Sequence, residues 1–104
     1  MTREAQLNEV RRRGRSIRTR YLTIHALAND AGVWRVGLVV PRLGHTAVER
    51  NTLKRRLREI ARLELLSLPG GYDVVIRASG PAYSLDYWGL REAVLSALER
   101  LSLR

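Results

Sequence analysis

Asn51, Arg55, Arg58 and Arg62 follow one another at spacings of four, three and four. On an α-helix such residues share one face, with a cation every ~5–6 Å, close to the repeat of phosphates along a nucleic-acid strand. Lys54 flanks this stripe, and Leu53, Leu57, Ile60 and Ala61 fall on the opposite side. The segment thus has an apolar face to bury and a cationic face to present. Glu59 lies off the stripe, so the spacing predicts that few acids neutralise it. Like-charged helix neighbours cost a few tenths of a kcal/mol each. A row of free guanidinium groups kept at that cost points to an absent polyanion, held by charge-assisted hydrogen bonds to phosphate.

Other chemistries find less material. The chain has no cysteine, which excludes disulfides, thiolate metal sites and a cysteine nucleophile. His25 and His45 are its two histidines, and nothing in the sequence brings them together as an acid–base pair. No carboxylate cluster or His/Asp spacing marks a metal site. Trp34 and Trp88 read as core or core-edge residues, not base platforms. The balance of 19 basic against 10 acidic residues is concentrated in two blocks, each with a net charge of +5, over residues 3–20 and 42–62. Of the basic residues all but Lys54 are arginine. Two cationic blocks separated by a neutral stretch are the footprint of a polyanion-binding surface. Arg11, Arg12 and Arg13 read either as a solvated run or as phosphate contacts. No apolar run approaches the ~18 residues of a membrane span, and no signal-peptide core is present, so a cytoplasmic protein is expected.

The elements that must position these residues follow from pattern and punctuation. With 104 residues, one domain spanning 1–104 is expected. Residues 4–13 read as a short helix with Leu7 and Val10 inward, stopped by Gly14. Tyr21 to Ala28 alternates as a strand, with Leu22, Ile24 and Ala26 on one side and His25 on the other. Asn29 to Gly32 is turn chemistry and Val33 to Val40 a second strand, so the two are expected to form a hairpin. Pro41 ends it. Thr46 and Glu49 form a capping box for a helix of about 20 residues that reaches Leu66 and is broken at Pro69-Gly70-Gly71. Asp73 to Ile76 is a short central strand. Ser84 is expected to cap a last helix whose Tyr87, Leu90, Val94, Leu98 and Leu101 recur at helical spacing. The order α-β-β-α-β-α describes an α+β sandwich, a mixed sheet with helices packed mainly on one face.

The run Trp34-Arg35-Val36-Gly37-Leu38-Val39-Val40, followed by Ala47-Val48-Glu49-Arg50-Asn51-Thr52-Leu53-Lys54-Arg55-Arg56-Leu57-Arg58-Glu59, resembles the signature of the bacterial ribonuclease P protein family. That family shows a Gly-Leu strand, a basic loop, then Ala-Val-x-Arg-Asn-Arg-x-Lys-Arg opening a helix. The resemblance implies a left-handed βαβ crossover that sets the arginine helix beside the sheet. It also implies a non-catalytic protein subunit of an endoribonuclease, with the magnesium-dependent hydrolysis belonging to the RNA. The implied partners are the catalytic RNA and precursor tRNA, in a holoenzyme of one RNA and one monomeric protein. Matched position by position, Arg50, Asn51, Lys54, Arg55 and Arg58 carry the RNA-binding motif, Arg42 matches a basic residue of the preceding loop, and Arg62 extends the row. A cleft between the N-terminal helix and the open sheet face would hold the single-stranded 5′ leader, with Leu7, Arg11, Arg12, Arg20 and His25 in it.

The sequence departs from the family at several places. Thr52 replaces the second arginine of Arg-Asn-Arg. Gly44 falls one place before the family glycine, leaving His45 there. Arg77-Ala78-Ser79 replaces an alanine followed by a base. Leu7, Arg11 and His25 stand where the family carries stacking aromatics. Stacking is worth about 1–3 kcal/mol per base, so this cleft is expected to hold a leader more by charge. Two other readings compete: a structural ribosomal-type RNA-binding protein, and a small basic toxin endoribonuclease.

Overall fold

The structure, a computed structural model, describes residues 4–66 and 68–101; Arg3, counted in the first basic block, lies outside them. The chain runs through α1 (Glu4–Arg13), β1 (Arg15–Arg18), β2 (Leu22–Ala28), β3 (Arg35–Val39), α2 (Ala47–Glu64), β4 (Tyr72–Ala78), a 3₁₀ turn (Gly80–Ser84) and α3 (Tyr87–Arg100). The sheet order is β1-β2-β4-β3, with β1, β2 and β4 antiparallel in turn and β3 parallel to β4. The sheet is therefore mixed, and β3-α2-β4 is a crossover between neighbouring parallel strands.

Two expectations change. β1 is an additional strand. The expected hairpin also does not form, because β4 lies between β2 and β3. The turn chemistry itself is as read: Asn29 Nδ2 donates to the Val33 carbonyl at 3.0 Å and Ala31 N donates to Asn29 Oδ1 at 3.0 Å. The strands on either side nonetheless separate by one strand width. Asn29 N donates to the Gly71 carbonyl and its side chain reaches Asp73 of β4, so the same residue that shapes the turn also secures the inserted strand.

One sheet face and helices α2 and α3 share the core. Leu22, Ile24, Ala26, Val74 and Ile76 meet Leu53, Leu57, Ile60 and Ala61 of α2 and Leu90, Val94 and Leu98 of α3. Strand alternation turns Thr23, His25, Val75 and Arg77 to the other face. There α1 packs on β2 and β4, burying Val10 and Val75 and leaving the rest of that face open. A Cβ at Gly14 would overlap the carbonyl oxygens of Val10 and Ala26, so glycine permits the close passage from α1 to the sheet.

The last helix begins later than expected. Asp86 is its N-cap, accepting from Gly89 N at 2.8 Å. Ser84 instead closes the 3₁₀ turn, its Oγ donating to the Pro81 carbonyl at 2.7 Å.

Candidate nucleic-acid interfaces

α2 is built as its sequence dictates. Thr46 Oγ1 accepts from Glu49 N at 3.1 Å and Glu49 Oε1 accepts from Thr46 N at 2.7 Å, completing the capping box. The Thr46 backbone bond also holds the Glu49 carboxyl below its ordinary range. Leu53, Leu57, Ile60 and Ala61 are the buried residues of the helix. Asn51, Arg55, Arg58 and Arg62 are exposed and Lys54 is half-buried.

The row is not uniformly free. Glu59 takes Arg62 in two hydrogen bonds, at 2.6 and 3.3 Å, and its carboxyl is lowered by that bond. The spacing of three, not four, makes this pair, so Arg62 departs from the expectation of an unneutralised stripe. Arg50 Nη1 donates to the His45 carbonyl at 2.9 Å, and Arg56 Nη1 to the Leu85 carbonyl at 3.2 Å. No acidic side chain among the described residues pairs with Arg42, Lys54, Arg55 or Arg58. The free cations are thus the loop arginine and the middle of the helix. Thr52 lines a shallow groove with Val48, Arg56 and Tyr83, and neither Arg56 nor Arg62 offers a free guanidinium in its place.

The loop bearing Arg42 is held by contacts that sequence reasoning missed. The His45 ring stacks on Tyr83, with centroids 3.6 Å apart and planes 11° from parallel. Tyr83 Oη donates to the Pro41 carbonyl at 2.6 Å, and His45 N closes a turn onto the Arg42 carbonyl at 3.2 Å. Burial pushes the Tyr83 phenol up, so it remains a donor. His45 is a platform for the loop, and His25 lies away from it on the open sheet face. No sequence spacing joins residues 45 and 83, so only the fold reveals this pair.

A second basic surface lies on that open face. Arg11, Ser16, Arg18, Thr19, Arg20, Thr23, His25 and Arg77 line a groove of about 750 Å³, which continues along α1 past Asn8 and Arg12. Of the expected cleft residues, Arg11, Arg12, Arg20 and His25 are gathered here, while half-buried Leu7 is not in the lining. Arg18 and Arg77 are additions. The register Ser16↔His25 and Arg18↔Thr23 places β1 on this face, which is invisible without that strand. Arg13 of the basic run turns aside to Glu9 at 2.7 Å. Burial first, then the charges of Arg11 and Arg77, lower the His25 pKa, so the ring is neutral at pH 7. Its buried Nδ1 has no hydrogen-bond partner in the protein. Among the described residues no group of three or more His, Asp or Glu could hold a metal ion, and no helix is long and apolar enough to cross a membrane.

A family model described as Ribonuclease P matches residues 1–102. The ribonuclease P protein component of Pelotomaculum thermopropionicum is 36% identical over 92 residues, covering 88% of this chain and 82% of that protein. The protein of the same name from Thermotoga maritima is 34% identical over 92 residues, covering 85% and 79%. The solved T. maritima RNase P protein, in complex with 1-(4-fluorophenyl)-2-thiourea, superposes with a TM-score of 0.86 at 29% identity, covering 96% of this chain and 97% of that one. The Staphylococcus aureus RNase P protein has the same fold, at a TM-score of 0.90 and 21% identity over 99% and 94% of the two chains. The chain belongs to the ribonuclease P protein family, as a protein component of that tRNA-processing endoribonuclease.

Proposed function

We propose that the outward face of α2, with the Arg42 loop, docks the catalytic RNA, and that the groove between α1 and the open sheet takes the 5′ leader of precursor tRNA. The observation that carries this reading is the pair of guanidinium groups on α2, Arg55 and Arg58, three residues apart on an exposed face and paired with no acidic side chain among the described residues. In this reading Arg50 and Asn51 open the docking helix and Lys54 flanks it. Arg11, Arg12, Arg20 and His25 contact the leader, joined by Arg18 and Arg77. A groove lined by guanidinium groups repels cations, so magnesium would be bound by the RNA, where hydrolysis also takes place. The protein acts as a monomeric RNA-binding domain, one copy per catalytic RNA, in the cytoplasm.

The test is reconstitution. Catalytic RNA at low magnesium should remove the leader of precursor tRNA poorly, and added protein should restore cleavage, while the protein alone cleaves nothing. Restoration failing, or cleavage by protein alone, would defeat the reading. Arg55→Ala with Arg58→Ala should weaken catalytic-RNA binding and reduce the slope of log affinity against log salt by about 0.7–0.9 per lost phosphate contact. An unchanged slope would remove α2 from the interface.

A further inference from the structure

The sequence places Trp88 in or near the core, but the structure puts it in water: its side chain is 67% exposed, whereas Trp34 is 4% exposed and donates to the Pro69 carbonyl. Trp88 holds one ring contact, edge-on to Tyr87 with centroids 5.1 Å apart. Its place is fixed by the packing of α3 on α2. Arg56 Nη1 bonds the Leu85 carbonyl just before α3, and Arg91 Nε pairs with Glu64 Oε1 at 2.9 Å. The first turn of α3 therefore lies along the second half of α2. Trp88, Arg91 and Leu95 share one face of α3 at helical spacing, and Arg91 and buried Leu95 turn that face toward α2. On α2 Arg56 lies on the flank that meets the start of α3, and Glu59 and half-exposed Leu63 follow it on the same side of the helix at spacings of three and four. Tyr87, next to Trp88 in the chain, lies near enough to Arg62 for charge to act between them, so the start of α3 borders the cationic row at the end where Arg62 is held by Glu59.

We propose that Trp88 is a base-stacking platform that extends the α2 surface, taking an unpaired base of the RNA whose phosphates lie on Arg55 and Arg58. An aromatic face accepts any base, and beside cations that fix the backbone it needs no hydrogen-bonding partner. This proposal rests on the α2 docking reading. Its partner follows from continuity: the start of α3 adjoins a surface whose charge complements a phosphate strand. The competing occupant of an exposed indole, a second copy of this chain, is an outcome of the experiment.

Trp88→Ala, Trp88→Phe and the Arg55→Ala/Arg58→Ala variant are titrated with the catalytic RNA at several salt concentrations. Trp88→Ala should lose about fivefold to a hundredfold in affinity with the salt slope unchanged, because a stacked base releases no counterion. Trp88→Phe should retain most of the affinity. In a Trp34→Phe background, the remaining Trp88 emission should be quenched as RNA binds. A circular-dichroism melt checks that each variant is folded. If Trp88→Ala binds as the parent does while the arginine variant is weakened, the platform is overturned and the docking reading stands. If neither is weakened, both fall. If sedimentation shows that the parent self-associates and Trp88→Ala does not, with RNA affinity equal in the two, the indole is a contact between copies and the proposal is overturned.

Discussion

His25 is a neutral ring set among cations: Arg11 and Arg12 approach from α1, Arg18 from β1 and Arg77 from β4, with Arg20 at the same groove. Burial, then Arg11, then Arg77, make its protonation unfavourable and carry its pKa below 6.5. Above 6.5 the ring is neutral folded or unfolded, so pH leaves stability unaffected by it. As pH falls from 6.5 through the lowered pKa, the unfolded chain takes the proton more readily and stability is lost. His25→Gln should therefore flatten the fall in unfolding free energy across that window, measured by urea denaturation. Arg77→Ala should raise the His25 titration midpoint followed by NMR. A leader phosphate bound in the groove as proposed would have the opposite effect on the ring, favouring the charged form. The preference for precursor over mature tRNA should then increase from about pH 7.5 to about 5.5, and should not do so in His25→Gln. A preference independent of pH in the parent chain would place the leader phosphates away from His25.

At the scale of elements, α2 was the most legible part of the sequence. Its length gives the 3.6-residue period several turns to declare itself, and Leu53, Leu57, Ile60 and Ala61 are buried as that period requires. Thr46 and Glu49 announced its start. Thr46→Ala removes the side chain that accepts from Glu49 N, which should cost about 1 kcal/mol of stability, read as a lower urea midpoint. Because the cap also positions the first turn, catalytic-RNA affinity should drop more than in Thr46→Ser, which keeps the acceptor; equal losses would make the cap irrelevant to docking. Where the sequence misled, the reason was non-local. β1 is four residues, Arg-Ser-Ile-Arg, three of them exposed, so it has almost no alternation to read. β2 and β3 flank a sound turn, yet their partner is β4, more than thirty residues along the chain from β3, and short-range punctuation says nothing about such pairing. Ser84 and Asp86 are equally good N-cap types; Pro81 at the head of the 3₁₀ turn decides between them by claiming Ser84. The candidate site divides in the same way. The arginine row was legible from spacing, whereas Arg18, Arg77 and the His45–Tyr83 stack depend on strand register or tertiary contact.

At the scale of the molecule, the two basic blocks of the sequence become two surfaces on opposite sides of one sheet. α2 covers the core face and turns Arg55 and Arg58 outward, while the groove holding Arg11, Arg18, Arg20 and Arg77 lies on the other face beside α1. The buried layer of Leu22, Ile24, Ala26, Val74 and Ile76 separates them. In the proposed reading this arrangement would let two polyanions be bound at once without sharing a cation, the catalytic RNA on one side and its substrate on the other. Changes on separate surfaces with no shared partners should add in free energy to within about 0.5 kcal/mol. Arg11→Ala with Arg77→Ala should reduce the precursor-over-mature preference and leave catalytic-RNA affinity intact, and Arg55→Ala with Arg58→Ala should do the reverse. Combining all four should give the sum of the two losses in precursor cleavage at low magnesium. A combined loss well short of that sum would mean that one RNA strand runs across both surfaces, and the two-sided arrangement would give way to a single continuous binding path.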